Sequence, residues 1–295
     1  MQIKNKIISI ILGFLTSFLF ILNISAEEFN ISAEEIIIDK VNNIVIGSGS
    51  VEATDIQGRV IKANKITYKK SEEFLIAEGS VQVYDIDGNI LKTDKATYNK
   101  PEEIIITYQN SKLILKEGYN VSTSKIFYDG IKKIISTDQN AILRDIDGNL
   151  VKVDMFQYNI QKNLFSSIGK IKIIDVKKNK YFFKELFVDT KKHEMIGSEA
   201  SAIFDQENFG LSKKNDPRFV ANDVFISKNK SNFSKGVFTI CKQKGNKCPP
   251  WILQAKKITH DKIKKTIYYE HAVLKVYDVP IFYFPRSFHP DPTVK

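Results

Sequence analysis

The chain lacks the local signatures on which pocket enzymes are built. It has no nucleophile elbow, no P-loop and no HExxH pair. That removes the usual sequence marks of acyl transfer, phosphate cradling and zinc peptidase chemistry. It holds only two cysteines, Cys241 and Cys248, and no C-x-x-C spacing. It has one long apolar run, Ile7 to Leu22, and sixteen residues are short for a membrane span.

That run reads as targeting. Lys4 and Lys6 precede it, and Ile24-Ser25-Ala26 offers small residues before Glu27-Glu28. This is the three-part pattern of a secretory signal, with cleavage expected after Ala26; a retained anchor is the alternative. The rest is then exported, and its charge is +10, or +8 without Lys4 and Lys6. An exported basic chain points to a polyanionic envelope component rather than nucleic acid. A solvated lysine face protecting a long sheet explains the charge equally well. In an oxidising compartment two cysteines favour a disulfide, and Cys241 to Cys248 would staple a hairpin. The alternatives are zinc shared with His260, His271 or His289, and a thiol outside the chain.

What the chain does have is a repeat. GRVIKANKITY (Gly58 to Tyr68) returns as GNILKTDKATY (Gly88 to Tyr98), GYNVSTSKIFY (Gly118 to Tyr128) and GNLVKVDMFQY (Gly148 to Tyr158). A fixed thirty-residue period means stacked copies of one supersecondary unit. Ile61, Leu91, Val121 and Val151 form an apolar column, followed two residues on by Ala63, Thr93, Thr123 and Val153. Lys62, Lys92, Ser122 and Lys152 stand between them. Such alternation marks a strand with one dry and one wet face. Ile66, Ala96, Ile126 and Phe156 resume the dry phase after three steps, then Tyr68, Tyr98, Tyr128 and Tyr158. The extra step predicts a β-bulge at Asn64-Lys65 and its copies, curling the sheet into a trough. The tyrosines suit core filling better than sugar stacking.

DIQG (Asp55 to Gly58) and DIDG (Asp85 to Gly88, Asp145 to Gly148) are hairpin turns in which Gly takes φ > 0. DIDGN is not a calcium loop, because the twelfth position holds Ala96 or Phe156 instead of a carboxylate. A carbohydrate-active solenoid enzyme needs carboxylates on a strand face, and these sit in turns. The unit is strand, turn, bent strand, turn, which gives antiparallel pairing. After Tyr158 the repeat decays: Asp175 and Asp205 keep the register, Lys178 replaces the turn glycine and Val188 the tyrosine. Decay predicts a closing region, with a loop over Asn208 to Phe219. PIFYFPRSFHPDPTVK, from Pro280, is proline-rich and reads as an extended linker or docking arm.

With these residues in view, the A-x-K-I/A-T-Y strands over about Phe29 to Asp205 resemble the OstA-type β-jellyroll of lipopolysaccharide-transport proteins. CPPWILQAKKITHDKIKKTIYYEHAVLKVYDVPIFYFP followed by FHPDPTV is similar to the junction of jellyroll and barrel in the outer-membrane lipopolysaccharide-assembly family, the LptD family. The resemblance implies a non-catalytic, cofactor-free trough, at the periplasmic face of the outer membrane, lined by the inward columns and holding lipid A acyl chains. It implies a periplasmic bridge protein as donor, a barrel as acceptor and an outer-membrane lipoprotein as the barrel's partner. A bridge-type scaffold that never joins a barrel is the alternative. The expected organisation is a signal over 1–26, a jellyroll over 27–240 and last strands plus junction over 241–295, with the barrel absent from this chain. The opening strand, with Phe29, Ile31, Ile36 and Ile38, is an open edge expected to accept a strand from the bridge.

Overall fold

The computed structural model describes residues 29–116, 118–205, 207, 215–241 and 250–291. Among them the chain is all-β and antiparallel, as the alternation requires. β1 (Phe29–Ser32) and β2 (Glu35–Asp39) both pair with β3 (Ile44–Asp55) and act as one kinked edge strand. β4 (Val60–Lys69), β5 (Phe74–Tyr84) and β6 (Ile90–Asn99) follow in order. The next strands are each broken in two: β7 (Ile104–Tyr108), β8 (Ser111–Ile114), β9 (Asn120–Thr123), β10 (Phe127–Asp129), β11 (Ile134–Thr137), β12 (Ala141–Arg144), β13 (Leu150–Val153) and β14 (Phe156–Asn159). They run as two ladders, one through β7, β10, β11 and β14, the other through β8, β9, β12 and β13. Both start on β6 and rejoin on β15 (Leu164–Ile174). β16 (Lys180–Asp189), β17 (Glu194–Ile203), β18 (Arg218–Ile226), β19 (Lys230–Thr239), β20 (Trp251–Asp261), β21 (Thr266–Val276) and β22 (Val279–Pro290) complete the stack.

Each long strand is bent near its middle, so the sheet has two arms. The extra residue lies on the strands that pair with β4, not at Asn64-Lys65. Ser48 to Val51 on β3 faces Lys65 to Ala63 on β4, three steps against two. Gly49-Ser50 and Gly79-Ser80 are both left-handed, with φ of +74° and +47°, then +77° and +52°. Gln109-Asn110 repeats the pair between β7 and β8, and Gly169, Glu199, Lys235 and His271 continue it singly on β15, β17, β19 and β21. The bulge therefore belongs to alternate strands, and the three-step spacing on β4 is its complement.

Turns close both rims. In the first arm Asp55 Oδ1 accepts the Gln57 and Arg59 amides, Asp85 and Asp145 do the same for their own turns, and Asp175 Oδ1 accepts the Asn179 amide. Gly58, Gly88 and Gly148 sit at φ +85°, +92° and +89°, and Lys178 takes +65° in the fifth copy. Asn89 Oδ1 then accepts the Lys116 amide, Asn149 Oδ1 the Val176 amide and Asn179 Oδ1 the Asp205 amide, so these three turns are tied to the next repeat. In the second arm Asn43, Glu73, Glu103, Lys133, Asn163 and His193 are left-handed at thirty-residue intervals. The carbonyls of Glu73, Glu103, Lys133 and Asn163 each accept an amide from the following turn. Amide hydrogen bonds from Lys132, Lys192 and Lys264 are the main cause holding Asp129, Asp189 and Asp261 below the usual carboxylate value.

Two expectations do not survive. The decayed region is not a closing cap, because the ladder runs unbroken from β15 to β22. Residues 280–290 are not a linker. They pair with β21 as the last strand, where proline is tolerated because one side needs no ladder donor. The expected signal, Cys248 and most of the 208–219 loop lie outside the described residues.

A Cβ built at Gly148 stands 3.5 Å from Val176 Cγ1, an ordinary contact. Gly148→Ala should therefore destabilise through φ alone, by about 1–2 kcal/mol, and Lys178→Gly should act in the opposite direction. The shift in denaturation midpoint measures both. Depressed carboxyls contribute stability above their unfolded value of 3.8, lost as pH falls through the lower folded values. Replacing all three aspartates by Asn, which keeps the acceptor, should flatten the acid limb of a pH–stability curve.

Candidate functional site

The candidate site is the inner face of the two arms. Cross-strand pairing assembles one row from Ile31, Ala53, Ile61, Val83, Leu91 and Leu113, through Val121, Leu143, Val151, Ile173 and Tyr181, to Ala202, Phe219, Phe238, Leu253, Leu274 and Phe282. Every member is apolar, from the first strand to the last. A second row lies on the other arm: Val45, Tyr68, Leu75, Tyr98, Ile105 and Tyr128, then Ile135, Tyr158 and Phe165. The tyrosine column thus alternates with aliphatic side chains. The row turns polar at Ser231, His260 and His289 near the C-terminal edge.

The arms touch across the N-terminal mouth. Phe29 meets Tyr68 edge-on at 5.2 Å between centroids and Tyr98 at 6.4 Å. Arg59, at a first-arm turn, donates to Tyr98 Oη at 3.3 Å and lies over its ring, while Asp55 holds it at 2.5 Å. Burial opposes the Arg59 charge, but the bonds to Tyr98 and Asp55 outweigh it and raise the guanidinium above its usual value. At the far repeats Tyr181 is pushed up to about 12, by burial first and the neighbouring Asp175 second.

The expected lining residues all face inward. Ile61, Ala63, Ile66, Tyr68, Ala96, Val121, Ile126, Val153 and Phe156 are buried, and Leu91, Tyr98, Tyr128, Val151 and Tyr158 half-buried. Thr93 is buried for another reason. Its hydroxyl donates to the Tyr108 and Gln109 carbonyls. It opens a hydroxyl belt at the bend where the ladders part. Thr107 Oγ1 lies 2.5 Å from Ser111 Oγ and accepts the Ile126 amide at 2.8 Å; Thr123 meets Thr137 at 3.3 Å. Side chains there replace missing ladder bonds. The signal in the sequence is that Thr107 and Ser111 stand thirty residues after Ala77 and Val81, at positions that are apolar there.

At the N-terminal edge Phe29 is buried and Ile31 half-buried, whereas Ile36 and Ile38 are exposed. The three histidines considered for zinc lie near the C-terminal edge. His260 Nε2 is 2.6 Å from Asp291 Oδ2, His271 Nδ1 is 2.6 Å from Tyr283 Oη, and His289 Nε2 is 2.9 Å from Tyr269 Oη. Cys241 is half-buried, its amide donating to Thr239 Oγ1. No group of three or more His, Cys, Asp or Glu suited to a metal occurs among the described residues. Among the same residues no helix is long and apolar enough to cross a membrane.

No family model and no curated protein matches the chain. Among solved structures it is similar to LptH, the LptA homologous periplasmic component of the lipopolysaccharide transport device from Pseudomonas aeruginosa. That match has 13% identity over 57% of this chain and 79% of that one, with a TM-score of 0.16. It is also similar to a mutant TCP10 domain of CPAP from Danio rerio, at 9% identity over 85% and 98%, with a TM-score of 0.24. Scores this low transfer no function to the chain.

Thr107→Val should cost about 1–3 kcal/mol by stranding the buried Ile126 amide. Ser111→Ala should cost less, because the Thr107 hydroxyl keeps its contact with Ile126. Chemical denaturation of the two variants compares them directly.

Proposed function

We propose that the chain is a non-catalytic carrier that holds the acyl chains of lipopolysaccharide along its inner face. The observation supporting this reading is the inner row from Ile31 to Phe282, apolar from the first strand to the last and ending on strands that, among the described residues, pair on one side only. A stack of repeats buries a continuous core of its own, but here the row runs on to the last strand, where Phe282 is 58% exposed. Acyl chains laid along it gain about 0.8 kcal/mol per buried methylene. The Phe29, Tyr68, Tyr98 and Arg59 contacts close the N-terminal mouth, so loading separates the arms there.

The finer assignment is an LptD-like jellyroll at the periplasmic face of the outer membrane, receiving lipid from a bridge protein and passing it to a barrel with its lipoprotein partner. The junction-like sequence from Cys248 to Val294 supports it over the bridge-type scaffold. The β1–β2 edge, with Ile36 and Ile38 exposed, is the proposed docking strand for the bridge. A Cys241–Cys248 disulfide is a separate proposal, resting on export and on the chain having two cysteines rather than on this assignment.

A photo-crosslinking residue at Leu91 or Val151 should capture lipopolysaccharide, and one at the exposed outward Gln157 of the other arm should not. Leu91→Asp should block capture at Val151, since an unpaired carboxylate in an apolar groove costs several kcal/mol. Equal capture from inner and outer positions would overturn the proposal.

A further inference from the structure

The outer side of the first arm has an order of its own. At the turn tips stand Ile56, Ile86, Ile146 and Val176, 79%, 71%, 61% and 64% exposed. They are not placed there by disorder. Ile86 lies over Gly58, Ile146 over Gly118 and Val176 over Gly148 of the preceding repeats, so they form a line along the rim. Behind them an outward row of half-buried apolar residues includes Val60, Tyr84, Ile90 and Ile114, with Leu150 and Ile174 beyond Asn120 and Arg144.

One outward row further back, about 10 Å from the rim at about 3.3 Å per residue, the character reverses. Lys92 faces Lys112 across the ladder, and Lys152 faces Lys172. Like charges directly opposite destabilise a sheet. Elsewhere the sheet avoids this: Lys62 pairs with Glu52, Lys95 with Glu78 and Lys184 with Glu199. Lys92, Lys112, Lys152 and Lys172 make no ion pair among the described residues. The nearest strand carboxylates, Asp94 and Asp154, sit at the bend and accept from Asn110 and the Lys170 amide. Between the lysine pairs lies exposed Ile142, and Lys172 lies over the Phe182 ring. From Lys92 to Lys172 the row spans about 24 Å at about 4.8 Å per strand.

We propose that this arm lies with its rim in the surface of an anionic lipid leaflet. An apolar edge about 10 Å deep, bordered by cations, matches the headgroup–acyl boundary. A soluble polyanion would engage the lysines but has no use for four exposed aliphatic tips. Asp87 and Asp147 stand at the same turns, exposed. They hold the rim among headgroups rather than in the acyl layer. The proposal does not depend on what the inner face carries.

The test is co-sedimentation of the mature chain with vesicles of phosphatidylglycerol and phosphatidylcholine, against pure phosphatidylcholine. Binding is expected to the anionic vesicles only, and to weaken with salt. Lys92→Gln, Lys112→Gln, Lys152→Gln and Lys172→Gln should each lower the partition about fivefold. Ile86→Ser with Ile146→Ser should lower it comparably, and Asp87→Asn with Asp147→Asn should raise it. All these positions are outward, so lipopolysaccharide capture at Leu91 should stay at wild-type level and circular dichroism melts should not fall, the lysine variants melting slightly higher as each relieves a like-charge pair. Equal binding to both vesicle types, or insensitivity to both the lysine and the tip variants, overturns the proposal. So does binding to soluble polyphosphate without vesicle association, which would make the row a polyanion site.

Discussion

The structure depends on one backbone constraint: a strand must bend without losing phase. Side chains alternate with period two, so a bend that adds one residue throws every later side chain to the wrong face. Here the bend consumes two residues in left-handed conformation, Gly49-Ser50 and Gly79-Ser80, on alternate strands. Gly47 and Val51 both point inward, four positions apart, although the chain has turned between them. The intervening strand meets this by placing two outward residues, Asn64 and Lys65, in succession. Both inner rows follow from that accommodation.

The strain is not uniform. A left-handed conformation is nearly free for Gly and costs a side-chain-bearing residue about 1–2 kcal/mol. Ser50, Ser80 and Asn110 tolerate it at the early bends, whereas Glu199, Lys235 and His271 take it at later ones. In the middle repeats backbone pairing at the bend gives way, and Thr and Ser hydroxyls supply the hydrogen bonds. The sheet keeps its curvature there at the expense of ladder continuity, which is why two ladders run side by side from β6 to β15.

Much of this was legible in the residues. Alternation at Ile61-Lys62-Ala63 gives the strand, its faces and the inward column, because burial on one side leaves no other arrangement of those side chains. DIDG gives the turn, because Asp accepts two amides and Gly alone adopts the required φ without strain. The bulge was misplaced because a three-step spacing shows that phase is lost but not which strand carries the extra residue. The telling signal was Gly-Ser at 49–50 and 79–80, on the neighbouring strand. The second-arm turns were unread because Asn43, Glu73, Glu103, Lys133, Asn163 and His193 share a conformation and not a chemistry. The terminal strand was mistaken because proline density argues against a central strand and says nothing against an edge.

The turn-to-turn bonds set a rule for the length of the whole object. Each thirty-residue unit supplies two strands, so a gained or lost unit returns the chain to the same rim, in the same direction, with Asn-to-amide and carbonyl-to-amide links still meeting their partners. Half a unit would end on the opposite rim with both inner rows facing out of register. The sheet is therefore graduated in steps of about 9.6 Å, two strand spacings of about 4.8 Å. Its span between two fixed attachment points can change only by whole steps.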